Sequence, residues 1–106
     1  MSMQKLYTAL SATGISVAYR SFITPQTPPF IVYLYSSSDD FYADDENYVQ
    51  VGNWQVELYT QTKDIASEQT VEKALKEAGF TWAKYEAWLN EEDLLQVLYL
   101  IQDVEG

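Results

Sequence analysis

Two residue types are missing outright. Without cysteine the chain has no disulfides and no thiolate metal ligands, which fits an intracellular setting without proving one. Without histidine it lacks the commonest general base, the commonest zinc ligand and the near-neutral pH switch. Positive charge is scarce: Lys5, Arg20, Lys63, Lys73, Lys76 and Lys84 stand against 16 acids, for a net charge of −10. These bases are scattered along the chain. Gripping a phosphate backbone takes clustered Lys and Arg, so tight nucleic-acid binding is not expected. An anionic membrane surface would repel such a chain as well. No apolar run approaches the ~18 residues of a membrane span. The opening "MSMQKLYTALSATG" lacks the apolar core of a signal peptide, so the protein reads as soluble and unprocessed.

What is present points to a folded domain. Hydrophobic residues make up 47% and aromatics 15% of 106 residues, and disordered chains are poor in both. The length suits one domain, 1–106. Met3, Leu6, Tyr7 and Leu10 recur at helical spacing and predict a helix over 2–13, capped by Ser2 and closed at Gly14. "ISVAYRSF" alternates as a strand does, and "ITPQTPP" is a connector whose prolines cannot donate to a ladder. "FIVYLYSSS" is a strand with Phe30, Val32 and Leu34 on one face and Ile31, Tyr33 and Tyr35 on the other. Apolar on both sides, it should be covered on both, by helix or by a neighbouring subunit. "YVQVGNWQVELYTQT" alternates cleanly, with Trp54, Val56 and Leu58 inward. A second helix over 65–78 follows Asp64 or Ser67 as cap, with Val71, Ala74, Leu75 and Ala78 inward. Its outer face carries the i, i+4 pairs Glu72–Lys76 and Lys73–Glu77, and Gly79 ends it. "FTWAKYEAW" and "DLLQVLYLIQDV" close the chain as a strand pair, although the latter also tolerates a helical reading. The order α-β-β-β-α-β-β predicts an α+β domain: a mostly antiparallel sheet with two helices on one face.

The stretch "SSSDDFYADDENY" concentrates Asp39, Asp40, Asp44, Asp45 and Glu46 around Phe41 and Tyr42 at the tip of a long hairpin. As a metal site it is poor. Its acids fall in two clumps rather than at alternate loop positions, and no glycine supplies the sharp turn of a calcium loop. Carboxylate catalysis by Glu57 or Glu86 with Asp44 would need a cleft that a two-layer domain of this size hardly offers. Serine and threonine have no histidine to activate them, and there is no Gly-rich phosphate loop. The residues therefore speak against an enzyme, a metal or a cofactor. Aromatics exceed what one small core can hide, and Tyr and Trp are enriched where proteins touch. Phe41, Tyr42 and Trp88, which flank acidic loops, are expected at interfaces, and Trp54 in the core.

"GISVAYRSF", "PPFIVYLYSSSDDFYADDENYV" and "VELYTQTKDIASEQTVEKALKEAGF", with the closing aromatic hairpin, together resemble the small tail-completion (tail-terminator), head–tail joining proteins of tailed phages and prophages of Gram-positive bacteria. The resemblance spans nearly the whole chain. It implies an α+β subunit of a ring, typically of six copies, at the head-proximal end of the tail. The implied partners are the tail-tube protein and head-connector proteins, with DNA passing through but not tightly bound. The implied location is the virion, and the host cytoplasm during assembly. No catalytic residues carry over. On this reading the interaction surface is the tip, Asp39, Asp40, Phe41, Tyr42, Asp44, Asp45 and Glu46. Tyr33, Tyr35 and Trp88 are candidates for a subunit interface. The alternative is a small acidic module, or DNA mimic, that inhibits a basic host protein.

Overall fold

A computed structural model describes residues 3–38, 41–42 and 48–105. Helix α1 is Met3–Ser11, and its i, i+4 pair Leu6 and Leu10 is fully buried. Met3 and Tyr7, on the flank of the same stripe, remain half exposed. Ser2 lies outside the described residues. Gly14 takes φ 81°, the left-handed conformation that a side chain would resist, and turns the chain into β1, Ser16–Tyr19.

Helix α2, Ile65–Glu77, shows why sequence caps matter. Asp64 is its N-cap: the Ser67 backbone N–H donates to Asp64 Oδ1 at 3.1 Å, and the Ser67 hydroxyl donates to Oδ2 at 2.8 Å. The Ser67 backbone bond, seconded by the hydroxyl, holds the Asp64 carboxyl below its ordinary pKa. The C-terminus closes in a Schellman motif. Gly79 N–H donates to Lys76 O and Phe80 N–H to Leu75 O, both at 3.0 Å, with Gly79 at φ 88°. The accompanying apolar contact is supplied by Leu75 and Phe80, both in the core. Val71 and Leu75 are fully buried, with Ala74 and Ala78 partly so, as the periodicity requires.

The strands are β2 (Phe30–Ser38), β3 (Phe41–Tyr42), β4 (Tyr48–Thr60), β5 (Trp82–Leu89) and β6 (Leu94–Glu105). The sheet runs β1-β2-β4-β6-β5, with the two-residue β3 paired to β4. All pairings among the described residues are antiparallel except β1–β2, which is parallel. The closing segment is β, and its β-branched residues Val97 and Ile101 lie in the core face. The β4–α2–β5 passage is a crossover: β4 and β5 run the same way, and β6 returns between them.

Register sorts the side chains into rows. Three rows lie under the helices: Ile31–Leu58–Val97–Glu86, Tyr33–Val56–Tyr99–Lys84 and Tyr35–Trp54–Ile101–Trp82. Their residues from β2, β4 and β6, apart from Tyr35, join Leu6, Leu10, Val71, Leu75 and Phe80 in one core. Tyr33, expected at a subunit interface, is placed in this core instead. Tyr33 is 5% exposed, with its ring against Tyr19 at 5.2 Å and Tyr7 at 6.2 Å. Its face of β2 is the one the helices cover.

Candidate interaction surfaces

The sheet outruns its helices. Beyond the Trp54–Ile101 row, β4 continues through Asn53, Gly52, Val51 and Gln50, paired with Gln102, Asp103, Val104 and Glu105 of β6. On its other side Asn53 and Gly52 pair with Ser37 and Ser38 after a bulge in β2. Tyr48 and Val49 then pair with Tyr42 and Phe41. Six residues of β4 therefore project past the core, about 20 Å at strand rise. The molecule measures 50 Å by 27 by 25 Å, with a radius of gyration of 14.9 Å. A compact chain of this length would have about 13 Å. Phe41 and Tyr42 sit in the paired arm, while Asp39, Asp40, Asp44, Asp45 and Glu46 fall outside the described residues. At the arm's root Gly52 leaves room for the Trp54 indole. A Cβ there would stand 3.2 Å from Trp54 Nε1.

At the opposite edge, the inner face of β5 carries charge where β6 beside it carries apolar side chains. Glu68, 2% exposed, sits on the Val71/Leu75 stripe of α2. Lys84 Nζ of β5 lies 2.7 Å from Glu68 Oε1 and donates to Glu72 Oε2 at 2.7 Å. Lys63 Nζ lies 3.0 Å from both Glu68 oxygens, well aligned only to Oε1, and donates to Glu86 Oε1 at 2.5 Å. The Tyr99 hydroxyl donates to Glu72 Oε2 at 2.8 Å. Burial alone would raise the Glu68 pKa. The two ammonium groups outweigh it and hold the carboxyl below its ordinary value. Burial, then the Glu72 carboxylate, pushes the Tyr99 hydroxyl far above the usual phenol range. Glu72 was expected to pair with Lys76 on its own helix. It bonds across to Lys84 and Tyr99 instead. The network's sequence signal was a Glu in the apolar stripe of α2, combined with Lys84 and Glu86 alternating on an otherwise apolar strand.

Among the described residues no helix covers the outer face of the sheet. Its rows are Phe30–Tyr59–Gln96–Ala87, Val32–Glu57–Leu98–Tyr85 and Leu34–Gln55–Leu100–Ala83. Residues 20–26 cross one end of it, bordering a groove of about 500 Å³ with Val32, Tyr59, Leu89 and Leu94. There Phe22 meets Phe30 edge-on at 5.7 Å, and Phe30 stacks on Tyr59 at 5.0 Å. The Tyr59 hydroxyl donates to Glu57 Oε1 at 2.7 Å and accepts from Gln96 Nε2 at 3.0 Å. Burial, with the bond to Glu57, pushes its pKa up to about 12. The remainder of the face lies open, with Tyr85 and Leu100 exposed. On the helix side of the sheet, Tyr35 is 40% and Trp88 46% exposed, so both rings can reach a neighbour.

Of the carboxylates considered for catalysis, Glu57 stands on the outer face and Glu86 on the inner, salt-bridged to Lys63, while Asp44 lies outside the described residues. Among the described residues no group of three or more acidic side chains could hold a metal ion. No helix among them is long and apolar enough to cross a membrane. The chain is an α+β domain, one sheet backed on one face by two helices, with an arm at one end and an open face opposite the helices. No protein-family model and no curated protein matches its sequence. By fold, it is similar to a chain in the structure described as "Virion of native gene transfer agent (GTA) particle". The TM-score is 0.63 at 14% identity, over 95% of this chain and 92% of that one.

Proposed function

We propose that this chain is a structural component of a phage-like virion, and that it works as a tail-completion subunit. It forms a ring at the head-proximal end of the tail and contacts tail-tube and head-connector proteins. The observation that carries the reading is the end-to-end fold likeness to a chain of a gene transfer agent particle, which leaves almost no part of either chain unmatched. Three features support it. The arm beyond the core and the open outer face are surfaces for neighbours, and a ring subunit needs two different ones. Exposed Tyr35, Tyr85 and Trp88 are residue types that interfaces favour. The charge of −10 suits the wall of a DNA conduit, because repulsion keeps the duplex from adhering. On this reading the protein works by contact rather than catalysis.

The test is co-expression with candidate tail-tube and head-connector proteins of the same phage genome, followed by native mass spectrometry. The expected result is a closed oligomer, typically of six copies, that co-purifies with one of them. A chain that stays monomeric and never associates with either would sink the reading.

A further inference from the structure

Charge is divided unevenly along the chain. Residues 1–38 hold Lys5 and Arg20 and no acid, while residues 39–106 hold the other four bases and all 16 acids. The fold turns that division into a spatial one. The acid-free segment supplies α1, β1 and β2, and β1 with β2 forms one edge of the sheet. The opposite edge is β5, followed by the exposed acidic turn of Glu91, Glu92 and Asp93. Exposed aromatic rings gather at the same two edges. At the β1 edge, Tyr7 and Tyr19 flank the buried Tyr33 ring at 6.2 and 5.2 Å, and the Tyr35 backbone N–H donates to the Tyr19 hydroxyl at 3.3 Å. Tyr7, Tyr19 and Tyr35 all remain exposed. Arg20 lies 5.7 Å from the Tyr19 ring centroid, a contact that neutralises none of its charge. At the β5 edge, Tyr85 and Trp88 are exposed. Ser16 and Ala87 mark the two ends of a single row, Ser16–Phe30–Tyr59–Gln96–Ala87, four strand spacings or ~19 Å apart.

We propose that the acid-free β1 edge of one copy packs against the β5 edge of the next, its tyrosines against Tyr85 and Trp88 and Arg20 toward the acids of that side. The proposal rests on the ring reading and assigns one contact between its subunits. That reading gives the arm a contact of its own, and this one adds to it. Charge selects a second copy as the occupant. On a chain of net charge −10, the acid-free edge is the side that an acidic edge approaches without like-charge repulsion. The two edges differ and lie opposite one another, so the contact is head-to-tail, the kind that closes a ring or propagates. Size permits it. Strand β5 has eight residues, ~27 Å at strand rise, and the smallest extent of the molecule is 25 Å. The edge therefore offers roughly 600 Å² in projection, and more in accessible area, against the ~800 Å² that a stable interface takes from each partner. Lys84 and Glu86, turned inward on β5, disfavour an added strand, so side chains rather than a ladder make the contact. A tail-tube or connector protein on either edge is the competing occupant.

Because the wild type has no cysteine, single introduced thiols map the contact. Ser16→Cys marks the β1 edge, and Ala83→Cys and Ala87→Cys mark β5. All three sites are exposed, and thermal melts by circular dichroism check that the variants fold. Oligomers, formed alone or with tail proteins, are treated with a short bis-maleimide and resolved on denaturing gels. Covalent dimers are expected from a mixture of the β1-edge variant with a β5-edge variant, and not from either alone. Sedimentation velocity at low salt adds a test of sign. Ser16→Glu should weaken self-association about tenfold, whereas Ser16→Lys should not weaken it. Dimers from a β5-edge variant alone, no cross-link in an oligomer that does form, or equal weakening by Glu and Lys overturns the edge assignment and leaves the ring standing. Cross-links to a tail protein rather than to a second copy overturn the self-contact and give the edge to that partner. A wild type that is monomeric both alone and with tail proteins overturns the ring reading itself.

Discussion

Glu68 shows how one charged side chain can occupy a core position. The stripe that buries Val71 and Leu75 reaches Glu68 one turn earlier, where the carboxylate is 2% exposed between two lysines. A buried charge of this kind is tolerated only with partners. Glu68→Gln keeps the shape but leaves two ammonium groups facing a neutral amide. It should destabilise the fold by about 1–3 kcal/mol in urea unfolding. The pH dependence has a definite sign. The folded carboxyl lies below its ordinary pKa of 4.5, so its contribution is present above that value and is lost as pH falls through the lower folded value. Wild-type stability should therefore drop below about pH 4.5, and Glu68→Gln should flatten that limb. A variant with the same acid limb as the wild type would show that the network contributes nothing. Gly79 is the second position where one residue decides. At φ 88°, with nothing within 4 Å of a built Cβ, Gly79→Ala meets strain rather than a clash. It should lower stability by about 1–2 kcal/mol without altering the core.

At the scale of elements, α2 and β5 form a unit held by ions rather than by a hydrophobic seam. Lys84 bonds to Glu68 and Glu72, and Lys63 ties Glu68 to Glu86, so the inner face of β5 is charged between Trp82 and Trp88. Charged residues turned inward are also how natural sheets protect an edge from pairing with another chain. Lys84→Ala should loosen this edge locally. Amide exchange in β5 is expected to quicken about tenfold, which corresponds to ~1.4 kcal/mol, with little change in β2 or the core of β4. Uniform acceleration across the sheet would argue against an edge held by these ions. Most elements were legible beforehand because their signals are local. Helical spacing placed Leu6, Leu10, Val71 and Leu75, and alternation placed Trp54, Val56 and Leu58. Glycines marked both helix ends. Burial of Tyr33 was not legible. Both faces of "FIVYLY" are apolar, so the pattern cannot say which face the helices take. Nor was the cross-sheet role of Glu72, since it depends on which strand lies beneath α2. That strand is fixed by the β4–α2–β5 crossover and the return of β6 between, which is a matter of topology rather than spacing.

The whole molecule divides into a core that folds and an arm that reaches. Everything the helices cover lies on the core side of the Trp54–Ile101 row, and the rows beyond it add sheet hydrogen bonds without helical cover. Stability and assembly should then separate. Replacing residues 38–52 with a two-residue Asn-Gly turn keeps every core row and closes the Ser37–Asn53 pair with a hairpin turn that β2 and β4 can accept. Such a variant should remain folded, with a melting temperature within a few degrees of the wild type, since about 1 kcal/mol shifts a domain of this size by ~4–8 °C. Its radius of gyration by small-angle scattering should fall from 14.9 Å toward the ~12–13 Å of a compact chain. On the proposed ring reading, oligomers and recruitment of tail proteins should both disappear. An arm-less chain that still assembles would move the contacts to the open outer face, where Tyr85 and Leu100 are exposed. An arm-less chain that unfolds would mean that the projecting rows hold the sheet together, and the division between core and arm would be wrong.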